Sequence, residues 1–314
     1  MKPTKIFNLF IAIAIIGLII TSCKKDEKDI IDDKTFDSSS MQQLSKDEVA
    51  IESYSNEALD DANDVLTKGV SKSKSFPCNA TIDSVSLTND TVKAYVITFN
   101  GLNCSGNKFK TGQLIIRKNI LSHWSQSGTA VSLQFVNFKV AKATNLSQWI
   151  MLNGTKVWTN TSGGLIYNLG GSANSIVHTV TGSIEASFND NTTRTWNISR
   201  RKTFTGTYPN DLILSIEGTG SSNGYDNLAT WGLNRHSENF YTQINQAVVL
   251  KQSCDWKPVS GIKKHQIPSD SKSATITFGF DSSNLPITGN ACPTRYKIDF
   301  VKGSYSGTLF LDIP

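Results

Sequence analysis

The sequence predicts an all-β fold, and three observations lead to that prediction. From residue 76 onward, runs rich in Val, Ile, Thr, Phe and Tyr alternate between apolar and polar positions. Gly, Asn, Ser and Asp separate these runs, as is typical of turns between strands. No helix-period segment of useful length interrupts them, which disfavours βαβ crossovers. We therefore expect large antiparallel sheets, either sandwich-like or one extended curved sheet, with one short N-terminal helix.

The alternating runs define the predicted strands of a β-rich body over residues 76–314. They are TVKAYVITF, GQLIIRK, TAVSLQFVNFKVA, SIVHTVTGSIEASF, RTWNISRRKTFTG, DLILSIEG, NFYTQINQAVVL, SATITFGF, RYKIDFV and YSGTLFLDI. A faint internal repeat, in which each copy places ITF between two cysteines, suggests two related modules at about 76–190 and 191–314.

A single amphipathic helix is predicted over residues 44–70. Ser45 and Glu48 have the spacing of a capping box at its start. Lys68 and Gly69 are typical of a helix end. Apolar residues recur at three- and four-residue steps along one stripe: Ile51, Tyr54, Ala58, Ala62 and Val65. We expect the stripe to pack on the body; the alternative is a helix that binds a partner in an outer-membrane complex.

Residues 1–22 have the organisation of a secretory signal peptide. Lys2 and Lys5 precede an apolar run, and small residues lie directly before Cys23. The apolar run is shorter than the roughly 20 residues of a membrane-spanning helix. The segment Ile20–Cys23 resembles a bacterial lipoprotein box, which implies that Cys23 carries fatty acids such as palmitate. A plain cleavable signal or a signal anchor is the alternative.

The residues after Cys23 predict location. Lys24–Glu27 resembles the export signal of surface lipoproteins of the Bacteroidota, in which a lysine is followed by two acids. The resemblance implies a lipid-anchored outer-membrane protein that faces the cell exterior; an orientation towards the periplasm is the alternative. Residues 23–43 are charged and serine-rich, and we expect them to form a disordered tether.

Charge is distributed unevenly along the mature chain. Residues 24–75 have a net charge of −5, and residues 76–314 have a net charge of +8. A basic body outside the cell favours anionic partners, such as lipopolysaccharide phosphates or acidic glycans, and not nucleic acid. The cations are scattered, with one tight cluster at Arg200–Lys202, and we interpret most of them as solubility charge on strand faces.

Four cysteines remain in the body, which in an exported protein suggests two disulfides. Three connectivities are open. The internal repeat favours Cys78–Cys104 and Cys254–Cys292. A zinc site is disfavoured because no close CxxC pair and no nearby pair of histidines accompany these residues.

The order of the segments FPCNATI, ITFNGLNCSGNKFKTGQLII, NGTKVWTN, RTWN, WGLNR and CDWKPVSG resembles that of a group of Bacteroidota lipoproteins of unassigned function. The resemblance covers most of residues 45–314. The glycine-rich segment before Cys292 is longer than in that group. Since the group has no assigned activity, the resemblance implies no functional residue.

Catalytic patterns are weak. Gly220–Gly224 fits G-x-S-x-G, but no helix pattern follows it, so we predict a hairpin loop. No Asp or Glu lies between Asp90 and Glu185, and no acidic pair stands out for glycan hydrolysis. The four histidines are isolated, and His178 is predicted to be a core residue. We predict no metal, no cofactor and no catalytic residue.

Tryptophans give the best indication of ligand binding. Buried tryptophans are common in β cores, but Trp124 and Trp149 lie in polar segments and are predicted to be exposed, where sugars could stack on them. We therefore predict a non-catalytic surface lipoprotein that binds a glycan or another envelope protein. The alternative is a hydrolase of polysaccharide or peptide with an unrecognised acidic pair.

Overall fold

The computed structural model describes residues 39–68, 77–84 and 87–313, and it confirms an all-β fold with one helix. The elements are α1 (Ser39–Lys68), β1 (Ala80–Asp83), β2 (Val92–Leu102), β3 (Lys108–Asn119), β4 (Thr129–Lys142), β5 (Asn145–Asn160), β6 (Ile176–Phe188), β7 (Thr193–Thr207), β8 (Asp211–Gly218), β9 (Gly220–Ser222), β10 (Tyr225–Leu233), β11 (Asn239–Lys251), β12 (Lys257–Ile267), β13 (Lys272–Phe280), β14 (Arg295–Lys302) and β15 (Tyr305–Asp312).

All strands belong to one antiparallel sheet whose order follows the chain. Two strands, β8 and β10, share the position between β7 and β11. β8 pairs with the C-terminal part of both β7 and β11, and β10 pairs with the preceding part of both strands. β9 and the start of β10 form a hairpin between these two paired segments. β6 and β7 pair from Ile176 to Ser187, so the sheet is continuous across residue 190, where the sequence suggests a module boundary.

Helix α1 begins at Ser39, earlier than the sequence predicts. Ser45 therefore lies inside the helix, and the capping-box prediction is wrong. The first part of the helix contacts the body: Leu44 is buried, and its carbonyl oxygen accepts a hydrogen bond from Arg194 Nη1 at 3.1 Å. Residues 39–43, predicted as the end of the tether, are helical; Cys23, the rest of the tether and Gly69 lie outside the described residues.

The apolar stripe of α1 packs on the body, as predicted. Its members Ile51, Ala58, Ala62 and Val65 are buried, and Tyr54 is half-buried against them. They join inward side chains of β2–β7, together with Phe240 and Ile267, in a cluster that we call the helix core. Because this cluster contains residues from β2 to β12, the sheet curves around the helix.

A second apolar cluster, the strand core, contains no residue of α1 among those that the structure describes. Its members come from the strands β6–β8, β10, β11, β13 and β14 and from flanking loops: Leu169, Ile176, Phe204, Leu212, Leu214, Ile216, Ala229, Ile244, Val248, Leu250, Ile276, Phe278, Tyr296 and Ile313. Side chains from these strands thus fill this part of the interior without help from a helix.

Glycine allows close backbone approach where β5 meets β6. A Cβ atom at Gly154 would lie 2.2 Å from the carbonyl oxygen of Ser183, and the φ of Gly154 is +126°. A side chain is therefore excluded at Gly154 by both space and conformation. The close contact lies in the part of the sheet that curves around α1.

Two disulfides have the pairing that the internal repeat favours. Cys78, before β1, pairs with Cys104, after β2; their Cα atoms are 5.1 Å apart. Cys254, before β12, pairs with Cys292, after β13, with a Cα separation of 5.3 Å. Each disulfide thus joins the two ends of one β-hairpin.

Candidate functional site

Strand β7 brings positive charge into the interior. Its inward face alternates basic and apolar residues, all of them buried: Arg194, Trp196, Ile198, Arg200, Lys202 and Phe204. In the predicted surface cluster, Arg201 faces outward and its Nε donates to Glu217 Oε2 at 2.7 Å. The interpretation of most cations as solubility charge does not apply to Arg200 and Lys202, because strand alternation turns both side chains inward.

The carboxylate of Glu48, on α1, is buried among groups from four strands. Its Oε1 accepts hydrogen bonds from Lys263 Nζ at 3.2 Å and from Thr230 Oγ1 at 3.1 Å. Its Oε2 accepts a hydrogen bond from Thr242 Oγ1 at 3.3 Å. Arg200 Nη2 lies 3.8 Å from Oε1. Glu48 therefore connects α1 to β7, β10, β11 and β12.

Glu52 lies one helical turn after Glu48 and faces β5 and β7. Arg200 Nη1 is 3.1 Å from Glu52 Oε1, and Lys156 Nζ is 4.0 Å from Glu52 Oε2. The Lys156 ammonium also donates to Ser55 Oγ and lies 4.5 Å from the centre of the Trp196 ring. Arg200 therefore bridges two carboxylates of the helix.

We call the ionisable groups at this interface the ionic layer: Glu48, Glu52, Lys156, Arg194, Arg200, Lys202, Lys263 and His265. All of them are buried except Lys263, which is half-buried. Part of the layer lies between the two apolar clusters, whereas Arg194 and Lys156 contact aromatic rings of the helix core. On β7, Arg200 and Lys202 separate Ile198 of the helix core from Phe204 of the strand core. The same change from one core to the other occurs on β11, where Thr242 lies between Phe240 and Ile244.

The two helix carboxylates stay ionised. Burial acts to raise the pKa of Glu48, but the surrounding charges, with Lys263 foremost, hold that pKa well below its usual range. Burial also acts to raise the pKa of Glu52, but Arg200 and Lys156 lower that pKa to about 2.

Burial lowers the pKa values of the buried lysines in the ionic layer. Burial lowers the pKa of Lys156 to about 7, although Glu52 partly opposes this change. Burial also lowers the pKa of Lys202. Since a buried ammonium loses its hydration, part of the positive charge of the layer is easily lost as a proton.

His265 completes a chain of hydrogen bonds to Glu48. Burial lowers the pKa of His265 to about 3, so its ring is neutral at pH 7. His265 Nδ1 lies 2.8 Å from Thr242 Oγ1, and the Thr242 hydroxyl donates to Glu48 Oε2. Because that hydroxyl proton is directed to Glu48, Nδ1 of the neutral ring carries the proton and donates to Thr242.

Ion pairs also hold both ends of α1. Near the start, Arg235 donates two hydrogen bonds to Asp47, from Nε to Oδ2 at 2.8 Å and from Nη2 to Oδ1 at 2.6 Å. Near the end, Lys110 Nζ lies 2.8 Å from Glu57 Oε1 and 2.7 Å from Asp61 Oδ2. The acidic helix is therefore matched by basic side chains of the sheet along its length.

Glu48 and Glu52 form an acidic pair that the sequence analysis missed. Glycoside hydrolysis requires one carboxyl group that is protonated near neutral pH. Both of these carboxylates are ionised well below pH 7, and both are buried against cations. The pair therefore lacks a general acid.

Ser55 and Lys156 come nearest to a nucleophile and base. A lysine with a pKa near 7 that contacts a serine hydroxyl can in principle remove its proton. However, Ser55 is 0 % exposed and Lys156 is 1 % exposed. In this conformation no substrate reaches the serine.

The predicted ligand-binding tryptophans are both half-buried. Trp124 packs against the helix core, with its ring centre 5.2 Å from that of His178. The ring of Trp149 is covered by Lys139, whose Nζ lies 4.2 Å from its centre. Among the described residues, the structure shows no ring contact between the two tryptophans. His178 is buried, as predicted.

The structure also shows the position of the Gly220–Gly224 motif and bears on metal binding. Gly220–Ser222 form β9, and Asn223 and Gly224 form the turn into β10, which is the predicted hairpin. In the described part of the chain, no group of three or more His, Cys, Asp or Glu residues is placed to hold a metal ion.

An open groove of about 690 Å³ lies at one end of β3–β5. It is lined by the loop that follows β3 and by polar side chains of β3 and β4, among them Arg117, Lys118, Asn119, Gln126 and Ser132. None of the described residues that line it carries a carboxylate. The groove therefore presents two cations and several hydrogen-bonding groups.

The sequence contains two signals for the ionic layer. The capping-box pattern predicts a terminal role for Glu48, but Glu48, Ile51, Glu52 and Ser55 share one face of a continuous helix. On β7, the basic residues occupy the same alternate positions as Trp196, which marks the buried face.

Comparisons with protein families, with curated proteins and with solved structures found no match to this chain. Among the described residues, no helix combines the length and apolar character that a membrane span requires.

Proposed function

We propose that this chain is a lipid-anchored surface protein of the outer membrane that binds an acidic glycan without altering it. The lipoprotein box at Cys23 and the Lys24–Glu27 export signal support the location. The single observation that carries the binding role is the groove beside Arg117 and Lys118, which has cations and no described carboxylate.

The electrostatics of the surrounding strands favour an anionic ligand. No Asp or Glu occurs between Asp90 and Glu185, a segment that includes β3, β4 and β5. Arg117 Nη1 is oriented by a hydrogen bond of 2.8 Å to Gln134 Oε1, which supports a fixed guanidinium at the groove. A guanidinium matches the two oxygens of a carboxylate or sulfate group on a sugar ring.

A non-catalytic role is supported by the state of the buried acids. Glu48 and Glu52 are ionised and bound to cations, and Ser55 is fully buried. The rival proposal, a hydrolase, has the Ser55–Lys156 contact as its best support. An active-site fluorophosphonate probe should fail to label the wild-type protein; labelling that disappears in Ser55→Ala would favour the hydrolase.

The binding role can be tested with an array of neutral, uronate-containing and sulfated oligosaccharides. We expect binding to acidic members, with no change in their length after incubation. Arg117→Gln should weaken that binding about tenfold or more, since it removes a charge-assisted contact. Lys142→Gln, which removes one exposed cation elsewhere on β4, is the matched control and should bind like wild type. Binding of neutral glycans alone, or equal binding by Arg117→Gln, would refute the proposal.

The location can be tested separately. Cys23→Ala should release the protein from the membrane fraction into a soluble fraction. Protease applied to intact cells should cleave the wild-type protein if it faces outward. Membrane retention of Cys23→Ala would contradict lipid anchoring, whatever the outcome of the glycan array.

A further inference from the structure

Several buried donors on β7 have no hydrogen-bond partner among the described residues. They are Nε of Arg200, Nε1 of Trp196, and Nε and Nη2 of Arg194. Trp196 and Arg194 are 0 % and 1 % exposed, and Arg200 is also buried. Leaving such donors unsatisfied is unfavourable, so groups of this kind in folded proteins usually contact an ion or ordered water.

The side chains of Arg200 and Lys156 both lie near the Trp196 ring. Arg200 Cζ lies 5.9 Å from the centre of the Trp196 ring, and Lys156 Nζ lies 4.5 Å from it. Since Arg200 binds Glu52 through Nη1 and faces Glu48 through Nη2, its Nε remains available to a further acceptor. A guanidinium and an ammonium thus lie over the ring whose indole N–H has no partner among the described residues.

The charges of the ionic layer are unbalanced among the described residues. Two carboxylates, Glu48 and Glu52, face five cationic side chains: Lys156, Arg194, Arg200, Lys202 and Lys263. Water can satisfy a donor, but it leaves the charge in place. Loss of the protons of Lys156 and Lys202, whose pKa values burial lowers, would still leave three cationic side chains facing the two carboxylates. Burying the remaining positive charge is unfavourable unless an anion accompanies it.

We propose that the ionic layer binds one small inorganic anion, of the size and charge of chloride, beside Arg200 and Trp196. The site is independent of the glycan groove, because these residues face the interior whereas the groove is open to solvent. Among the described residues Glu52 Oε2 also has no hydrogen-bond partner, and it lies 4.0 Å from Lys156 Nζ. Because this carboxylate repels an anion near Lys156, the donors that we assign to the anion are Arg200 Nε and Trp196 Nε1.

The experiment uses bromide as the probe. The wild-type protein is crystallised in sodium bromide, and anomalous scattering is measured at the bromine edge. We expect a bromide peak in contact with the Arg200 guanidinium and the Trp196 indole. Ordered water there, with no anomalous peak, would overturn the proposal.

A solution measurement gives a second, independent readout. Thermal unfolding is followed while chloride replaces gluconate at constant ionic strength, so that general screening does not change. We expect wild type to be stabilised in a saturable manner by chloride. Trp196→Phe keeps the aromatic ring but removes the indole N–H, and it should weaken the apparent chloride affinity about tenfold.

Arg201→Gln is the matched control, because Arg201 lies on the same strand but faces outward. It should retain the wild-type chloride response. Equal stability of the wild type in chloride and gluconate would refute the site, as would an unchanged response in Trp196→Phe. If Trp196→Phe does not fold, the bromide map of the wild type decides alone.

Discussion

The helix core and the strand core fill the same curved sheet in different ways. In the strand core, side chains such as Leu214, Ile216 and Leu250 pack together with few buried charges. In the helix core, α1 occupies the interior, and its polar flank meets basic residues of the sheet through Glu48 and Glu52.

The difference indicates which side chains a curved sheet must supply when it surrounds a helix. An amphipathic helix placed inside a curved sheet has sheet around both its apolar and its polar sides, so the polar side must be matched by inward-facing cations. Such buried pairs add little net stability compared with well-packed apolar residues, but removing one partner is costly. We infer that the ion pairs mainly determine the position and rotation of α1, whereas apolar burial supplies the stability.

The largest expected effect comes from removing a carboxylate of the helix. Glu48→Ala leaves Lys263, Arg200 and Arg194 without their shared acid, and we expect a loss of about 3–5 kcal/mol in the free energy of unfolding. Urea unfolding at pH 7 measures this. Glu217→Ala removes an outward acid that pairs with Arg201, and it should change stability by less than about 1 kcal/mol.

The effect of Glu48→Ala should also depend on pH. Because the pKa of Glu48 is depressed in the folded state, its contribution is present above about pH 4.5 and is lost as the pH falls below that value. The difference between Glu48→Ala and wild type should therefore shrink in acid. A loss of less than about 1 kcal/mol at pH 7 would contradict the role that we assign to this carboxylate.

A cavity in the strand core provides the contrasting measurement. Leu214 is buried, and Leu214→Ala should lower the free energy of unfolding by about 3 kcal/mol through lost apolar burial and the cavity that remains. Since no proton is involved, that loss should be equal at pH 4.5 and at pH 7. A pH-dependent loss would show that the strand core is coupled to the ionic layer, contrary to the separation described above.

The strand core illustrates what the sequence could predict. Alternation in segments such as DLILSIEG identifies strands and their buried faces, because period-two burial depends only on local geometry. The apolar stripe of α1 and the hairpin at Gly220–Gly224 were also predictable, because both depend on local sequence. The internal repeat also favoured the cysteine pairing found in the structure.

The ionic layer illustrates what the sequence could not predict. Whether Lys156, Arg194 or Lys202 is buried depends on the carboxylates opposite, and those lie on a helix more than a hundred residues earlier in the chain. Without that partner, solvent exposure is the expected state of a basic residue on a strand. The curvature that brings Glu48 to β10–β12 is a property of the whole sheet and has no local signature.

Protonation of His178 should produce a smaller effect that appears only in acid. The ring of His178 lies between Trp124 and Phe204. Burial, together with Lys202, lowers its pKa to about 4. The unfolded chain therefore binds a proton below about pH 6.5, whereas the folded chain does so only near pH 4, and folding is progressively disfavoured between these values.

His178→Phe keeps an aromatic ring between its neighbours and removes the proton. We expect the slope of unfolding free energy against pH to fall by up to about 1.4 kcal/mol per pH unit between pH 6.5 and 4. His123→Gln, in an exposed loop, is the control and should leave the slope unchanged. A slope in His178→Phe equal to that of wild type would mean that His178 is accessible to protons in the folded state.

The smallest effect at neutral pH should come from Lys156→Met. At pH 7 the ammonium is already half deprotonated, since burial lowers its pKa to about 7. Methionine fills a similar volume and retains contact with the Trp196 ring. We expect the free energy of unfolding to change by less than about 1 kcal/mol.

The pH profile above neutrality makes this test decisive. Wild-type stability should rise from about pH 7 to pH 10.5, because over this range the unfolded chain keeps the Lys156 proton that the folded chain has lost. Lys156→Met should abolish that rise, and Lys142→Gln should preserve it. If Lys156→Met instead lost as much stability as Glu48→Ala, the positive charge of Lys156 would be integral to the fold, and the contrast between costly acids and dispensable lysines at the helix would fail.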